Sequence, residues 1–254
     1  MFFNIFLNDL LFCLQRSFCG LRIGKQCFNS FAYADDVTLM AAQPYDLQSL
    51  INMCEAYAEQ WRFTFGLKKT QCMIVGKPPF AAPPHWTMKN SPLQCSDFLT
   101  ILGVTFSASL RAEDHVASRV RSCKRSMFGL AQMGSMYPGL CTEAKRHLWQ
   151  SIGLPTLTYG LEALSLSAAD VASLEKCQSS ILKTCLGLQK RSHHSALLKA
   201  LQLPPVRHSI NSHALNLFAR ISHKPSPART LNALLASKYI LQSQSIPGTL
   251  LHSV

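Results

Sequence analysis

Residues 31–40 read FAYADDVTLM, and this stretch decides how the rest of the chain is interpreted. Asp35 and Asp36 are adjacent, between short runs of aromatic and β-branched residues that favour strands. The pattern predicts a hairpin of strands 28–33 and 37–40 with both carboxylates at its tip. Such a pair suits Mg²⁺, which is usually held by one or two carboxylates together with substrate phosphates. The alternative is an ordinary solvated turn, because Asp is a common turn residue.

Three further motifs accompany this hairpin: residues 1–10 (MFFNIFLNDL), 66–70 (GLKKT) and 101–106 (ILGVTF). Together with FAYADD, in this order and spacing, they resemble the palm of reverse transcriptases, most closely those of non-LTR (LINE-type) retrotransposons. The resemblance covers about residues 1–190 and, more loosely, the remainder. It implies an α+β fold, in which a truncated polymerase palm of antiparallel strands and packed helices is followed by an all-helical thumb and extension.

The resemblance also implies roles for individual residues. Asp35 and Asp36 would be catalytic and would hold Mg²⁺ in a two-metal site, and Lys69 would neutralise or protonate the leaving pyrophosphate. Primer or substrate binding would fall on Tyr33, Leu102 and Gly103. The implied partners are an RNA template and a DNA primer, with a dNTP as small-molecule substrate only in an intact parent protein.

In this family a Gln-Gly motif, and before it a strand with the first catalytic aspartate, precede the segment that residues 1–10 resemble. The chain is therefore expected to begin after both, to supply two of the three usual carboxylates and to lack the fingers. On this interpretation it is a fragment of an RNA-directed DNA polymerase that is inactive alone. Two alternatives stay open: a non-enzymatic nucleic-acid-binding remnant, and a misbounded gene model whose true start lies upstream.

Composition limits the function classes. Of 254 residues, 48% are hydrophobic, which excludes intrinsic disorder as the main description, and the net charge of +12 indicates a polyanionic partner. From Lys176 onward there are ten Lys or Arg and no Asp or Glu. No apolar run reaches the ~20 residues of a membrane span. The ten cysteines form no C-x-x-C pair and no secretory signal is evident, so we expect reduced, buried thiols in an intracellular protein, nuclear or cytoplasmic.

Apolar periodicity predicts helices over residues 2–14, from Pro44 to Trp61, over 115–134 and from Ser167 to a C-cap at Gly187. In the third helix Arg121, Lys124 and Arg125 lie within about 100° of one another, off the apolar stripe. This is where a polymerase thumb would follow the duplex backbone, and a solvated face is the alternative. The residues assigned to nucleic-acid binding are Arg119, Arg121, Lys124 and Arg125.

The remaining segments receive simpler predictions. Strands are expected over residues 71–75 and 98–106, an extended proline-rich loop over 78–92, and a loosely ordered tail over the last thirty residues. The predicted domains are a partial palm with its primer-grip strand (1–110), a helical thumb (111–190) and a basic helical extension with a loose tail (191–254). His193 and His194, beside Lys190 and Arg191, are expected to form a surface basic cluster rather than a metal site.

Overall fold

The computed structural model describes residues 2–23, 26–76, 84–130 and 139–222. Short strand pairs lie on both sides of the second helix, and the elements from Glu113 onward are helical, which confirms the predicted α+β class. The chain separates into two compact units, one built on the segment up to Leu99 and the other on Thr100–Arg220. The three predicted domains stay a prediction, and the predicted loose tail lies outside the described residues.

Two helices form the core of the first unit, α1 (Phe2–Arg16) and α2 (Pro44–Gln60). Leu10 and Leu14 of α1 are buried against Leu50 and Cys54 of α2. Pro44 begins α2 and Asp46 lies in its first turn, where a negative charge faces the positive end of the helix dipole. Both predicted helices are therefore confirmed.

The strands of the first unit form two-stranded pairs. An antiparallel pair of β1 (Leu21–Ile23) and β2 (Gln26–Phe28) is followed by the hairpin of β3 (Ser30–Tyr33) and β4 (Asp36–Leu39). The prediction of one unbroken strand over 28–33 is wrong, because Asn29 separates β2 from β3. The buried side-chain amide of Asn29 donates to the Leu14 carbonyl oxygen near the end of α1. The backbone carbonyl of Asn29 accepts a hydrogen bond from the Met40 backbone amide at 2.8 Å.

Two more predictions for this unit need correction. The strand expected over 71–75 is limited to β5 (Gln71–Cys72). Within the part of the chain that the structure describes, these two residues pair with a neighbouring strand, in parallel with β8 (Gln94–Cys95), and residues 73–75 do not. The second half of the loop expected over 78–92 contains the hairpin of β6 (Thr87–Met88) and β7 (Ser91–Pro92). Lys89 and Asn90 turn this hairpin with φ of +50° and +57°, the signs that a type I′ turn requires. Residues 77–83 lie outside the described residues.

The strand expected over 98–106 is also wrong as a single element. Residues 98–107 form the hairpin of β9 (Phe98–Ile101) and β10 (Val104–Ser107). Leu102 and Gly103 are its two turn residues, with φ of +50° and +77°. Two consecutive positive φ values reverse the chain, so the strand cannot continue through this point. The boundary between the two units falls inside β9.

Helices make up the rest of the second unit. They are α3 (Glu113–Gly129), α4 (Thr142–Leu148), a π-helical turn (Trp149–Gly153), α5 (Leu154–Thr158), a 3₁₀ turn (Leu161–Ala163), α6 (Ala168–Leu186), α7 (His194–Ala200) and α8 (Val206–Ser222). One core runs through them, with its largest fully buried side chains at Trp149, Leu157, Leu174 and Ile181. The predicted stripe of α3 is confirmed by buried Val116, Cys123 and Met127. Residues 131–134 of that predicted helix lie outside the described residues.

The ends of α6 are set by its own sequence. Ser167 Oγ accepts the Asp170 amide, and the Asp170 carboxylate accepts the Ser167 amide, which completes a capping box. Gly187 ends the helix in the left-handed region, where its amide reaches the Lys183 and Thr184 carbonyls. The predicted bounds of this helix are confirmed.

All ten cysteines are free thiols. The expectation of burial is correct for Cys54, Cys72, Cys123, Cys177 and Cys185, and wrong for the others, which are half-buried or exposed. Burial raises the pKa of Cys54 to about 12, so this thiol stays protonated at neutral pH. Within the described part of the chain, no helix combines the length and the apolar character that crossing a membrane requires.

Candidate metal and nucleic-acid sites

The acid pair lies where the β3–β4 hairpin turns. Tyr33 pairs with Asp36 across the hairpin, so the two turn residues are Ala34 and Asp35. Asp35 therefore stands in the turn itself, whereas Asp36 is the first residue of β4, a small correction to the prediction that both acids form the turn. Both aspartates are exposed, and this position leaves their carboxylate oxygens open to a ligand from solvent.

The turn of this hairpin has an unusual backbone. Ala34 has a φ of +52°, and L-residues other than Gly, Asn and Asp rarely adopt this region. A positive φ at the first turn residue alone is the pattern of a type II′ turn, which matches the right-handed twist of the flanking strands. Strain of this kind persists only where the surrounding structure imposes it, and it concentrates at functional sites. The β3–β4 pairing imposes it here.

The other residues predicted for the first unit are Tyr33 and Lys69, and among the described residues neither side chain has a recorded hydrogen bond or ion pair to the acids. Tyr33 is 67% exposed and neighbours the pair through its strand register with Asp36. Lys69 is exposed in a turn whose amides bond back to the Gly66 carbonyl. Among the described residues, no hydrogen bond or ion pair links Lys69 to either aspartate. Its predicted role in catalysis therefore stays a prediction.

The predicted primer-contact residues, Leu102 and Gly103, form the exposed turn of the β9–β10 hairpin. The Tyr159 hydroxyl donates to the Leu102 carbonyl oxygen at 2.8 Å. A Cβ atom on Gly103 would lie 3.4 Å from Cε1 of the same tyrosine, so the ring packs directly on this glycine. Sequence analysis missed Tyr159, because 57 residues separate it from Leu102 and no local pattern marks it.

His115 is a second functional candidate that sequence analysis missed. It is 1% exposed, accepts the Thr105 amide at Nδ1 (3.2 Å), and donates from Nε2 to the Tyr159 carbonyl oxygen (2.9 Å). Burial lowers the pKa of His115, and the nearby Arg119 charge lowers it further, against the raising effects of the Tyr159 carbonyl and Glu162. The ring is therefore neutral at pH 7, with one nitrogen as acceptor and the other as donor.

We expect the second unit to lose stability in mild acid through His115. The pKa of His115 is lower in the folded chain than the ~6.5 of an unfolded histidine. The contribution of His115 to the free energy of unfolding is therefore fully present above pH ~6.5 and is lost as the pH falls through the folded pKa. A protonated ring cannot accept the Thr105 amide. Urea unfolding between pH 5 and 8 measures the effect, and His115→Gln should reduce the slope of stability against pH.

His194 also has a lowered pKa from burial, so His115→Gln should remove only part of this slope. The matched control is His147→Gln, which changes an exposed histidine of the same unit. An equal slope in the parent and the His115→Gln variant would contradict the assignment of acid sensitivity to this ring.

The basic face of α3, defined as Arg121, Lys124 and Arg125, is exposed as predicted. Within the described residues, no carboxylate lies within 4.0 Å of these three cations, whose charges are thus available to an external polyanion. Arg119 is not on this face. At about 100° per residue it lies about 120–160° around the helix from the other three, next to the buried stripe.

Two surface cavities of about 380 and 390 Å³ lie elsewhere, and neither is lined by Asp35 or Asp36. The first includes His194, whose two ring nitrogens are buried without hydrogen-bond partners among the described residues. The prediction of a surface basic cluster is therefore wrong for His194, because α7 begins there and turns the ring inward. It is correct for the exposed Lys190, Arg191 and His193.

The hairpin with its exposed acid pair lies within a recognisable domain. Residues 1–106 match the family model of reverse transcriptase (RNA-dependent DNA polymerase). A search of curated proteins found no match to the chain. The matched region (residues 1–106) includes the acid hairpin, Lys69 and the Leu102–Gly103 turn, and it ends at Phe106, before α3.

The donor chemistry of the matched region fits a hard divalent cation. Two exposed carboxylates on adjacent residues supply the oxygen ligands that Mg²⁺ prefers, with its other positions left for water or phosphate. Among the described residues, no group of three or more His, Cys, Asp or Glu side chains is placed to hold a metal ion. In the described part of this region, the donors available to such a cation at the β3–β4 turn are the carboxylates of Asp35 and Asp36.

Proposed function

We propose that the matched region, residues 1–106, is part of the palm of a non-LTR retrotransposon RNA-directed DNA polymerase. The observation that carries the proposal is the β3–β4 hairpin, which presents Asp35 and Asp36 at an exposed, strained turn inside the matched region. A hairpin is a rigid support for two carboxylates, and such support keeps ligands in a fixed geometry.

In this function Asp35 would be the direct ligand of Mg²⁺, and Asp36 would assist through its charge or through hydrogen bonds to the ion's other ligands. When bound, two Mg²⁺ ions supply activation of the primer 3′-hydroxyl and neutralisation of the leaving pyrophosphate. Tyr33 would contact the primer end, and Lys69 would neutralise or protonate the leaving pyrophosphate. The Leu102–Gly103 turn would hold the primer strand.

A second function is favoured by a separate observation. The basic face of α3 has three exposed cations without carboxylate partners among the described residues. It belongs to the second unit and follows the matched region in the sequence. A surface of this kind binds phosphates irrespective of base sequence. The chain would then act as a nucleic-acid-binding protein whether or not it polymerises.

We expect no primer extension by the 254-residue chain on a poly-rA template with an oligo-dT primer, in Mg²⁺ or Mn²⁺. Two-metal chemistry needs both ions held between carboxylates, and the described residues provide only the Asp35–Asp36 pair for this purpose. The measurement is incorporation of labelled dTTP, with an active reverse transcriptase as positive control. Template-dependent extension that Asp35→Ala abolishes would overturn the expectation of inactivity.

A direct metal measurement tests the palm assignment without activity. Titration with Mn²⁺, followed by electron paramagnetic resonance of the free ion, should reveal weak binding that Asp35→Asn removes. The matched control is Asp97→Asn, which neutralises an exposed acid outside the hairpin. Equal Mn²⁺ binding by the two variants would contradict a metal site at the β3–β4 turn.

A further inference from the structure

Arg119 makes no ion pair within 4.0 Å among the described residues. Its guanidinium carbon lies 5.7 Å from the centroid of the Tyr159 ring, within the ~6 Å range of a cation–π contact. The Nε atom is buried without a hydrogen-bond partner, and no carboxylate lies within 4.0 Å of the guanidinium, among the described residues. Buried or half-buried charges in proteins are normally paired. This arrangement points to an anion that comes from outside the chain.

Tyr159 connects this cation to the Leu102–Gly103 turn. Its ring carries Arg119 and packs on Gly103, while its hydroxyl donates to the Leu102 carbonyl oxygen at 2.8 Å. Leu102 has a φ of +50°, which is disfavoured for leucine and persists only where its surroundings impose it. The Tyr159 hydroxyl, through its hydrogen bond to the Leu102 carbonyl, is part of those surroundings.

The backbone of Tyr159 is fixed by contacts on both its carbonyl group and the following glycine. His115 bonds its carbonyl oxygen at 2.9 Å and accepts the Thr105 amide of β10 at 3.2 Å. The next residue, Gly160, has a φ of +74°, and a Cβ there would meet Val104 Cγ2 at 2.5 Å, so only glycine fits this close packing. The cation and the turn are therefore preorganised before any ligand arrives, which reduces the ordering cost of binding.

We infer that Arg119 is a phosphate contact and that Tyr159 is its positioning residue. Together they form a second nucleic-acid contact beside the Leu102–Gly103 turn, distinct from the basic face of α3. The inference rests on the proposed nucleic-acid function and extends it. A planar guanidinium matches phosphate oxygens, and a polyanion is favoured as the ligand because the same helix exposes three more unpaired cations on its basic face.

The test measures binding of the full chain to a fluorescein-labelled 20-base-pair RNA–DNA hybrid between 50 and 200 mM salt. The readout is the slope of log affinity against log salt, which a purely structural residue does not change. Arg119→Gln should flatten this slope by about 0.9, so that over this range the affinity of the parent falls about 3.5-fold more than that of the variant. The charge-matched control, Arg111→Gln, should keep the slope of the parent.

Tyr159 is tested through its coupling to Arg119. Tyr159→Leu should flatten the slope as Arg119→Gln does, and the double variant should flatten it no further. Tyr159→Phe keeps the ring beneath Arg119 and loses only the hydroxyl, so it should keep the slope of the parent. Tyr45→Phe, at an exposed tyrosine of the other unit, is the matched control, and thermal unfolding of each variant confirms folding.

Each outcome decides the inference. A parental slope for Arg119→Gln, with the parent itself binding in a salt-dependent way, overturns the phosphate contact and leaves the proposed function intact. Additive losses in the double variant, or a flattened slope in Tyr159→Phe, overturn the positioning role of the ring. If the parent binds the hybrid without salt dependence, the proposed nucleic-acid function is contradicted, and the inference for Arg119 and Tyr159 is contradicted with it.

Discussion

Replacing Arg121, Lys124 and Arg125 together with Gln should make nucleic-acid binding far less sensitive to salt. Each phosphate contact adds about 0.9 to the slope of log affinity against log salt, so three lost contacts flatten it by about 2.7. Between 50 and 200 mM salt, the affinity of the parent should then fall about 40-fold more than that of the variant. Fluorescence anisotropy with duplexes of two unrelated sequences measures the slope and tests sequence tolerance.

The control for this experiment changes the same amount of charge elsewhere. Lys68, Lys89 and Arg111 are also exposed, and their replacement with Gln should leave the slope close to that of the parent. Exposed substitutions of this kind usually change stability by about 0.5 kcal/mol or less, so folding should be unaffected in both variants. Equal slopes in the two triple variants would assign the basic face of α3 to solvation.

Trp149→Ala should cause the largest loss of stability of the changes considered. Trp149 is 0% exposed at the centre of the second unit's core, and it begins the π-helical turn that joins α4 to α5. Phe or Trp to Ala substitutions in cores reduce stability by about 3–5 kcal/mol, because the free energy of burying the removed apolar atoms is lost and a cavity remains. Whole domains are stable by only ~5–15 kcal/mol. Urea unfolding should therefore show a midpoint far below that of the parent.

Two milder substitutions make this result specific. Trp149→Phe keeps an aromatic ring and removes an indole N–H that has no acceptor among the described residues, so it should cost much less than Trp149→Ala. Phe128→Ala removes a ring of the same unit that is 40% exposed and should also cost less. If Trp149→Ala proves as mild as Phe128→Ala, the core of this unit is not organised around Trp149.

The predictions that the structure confirms depend on neighbouring residues. Ser167 and Asp170 cap α6 three residues apart, Gly187 ends it, and Pro44 begins α2. Each of these signals acts within one helical turn, so a short window of sequence contains the whole interaction. The acid hairpin belongs to the same class, because Asp35 and Asp36 stand between two runs that pair directly with each other.

The corrected predictions involve special backbone conformations. Residues 98–107 form a hairpin where one strand was predicted over 98–106, because Leu102 adopts a positive φ. Leucine rarely adopts a positive φ, so its presence in the sequence does not predict a turn. The same holds for the turn at Lys89. Residues 71–75 were predicted as one strand from their apolar pattern, but strand length depends on the partner, and only β8 was available to Gln71 and Cys72.

From its sequence alone, this protein's α+β class, the start of α2, both ends of α6, its exposed acid pair and the basic face of α3 could be determined. Local propensity, capping and periodicity need no knowledge of distant residues. Only the tertiary structure brought Tyr159 to Leu102 across 57 residues, placed His115 between β10 and Tyr159, and set the Arg119 guanidinium over the Tyr159 ring. Such contacts arise when packing closes long loops, and no short stretch of sequence records which residues will then meet.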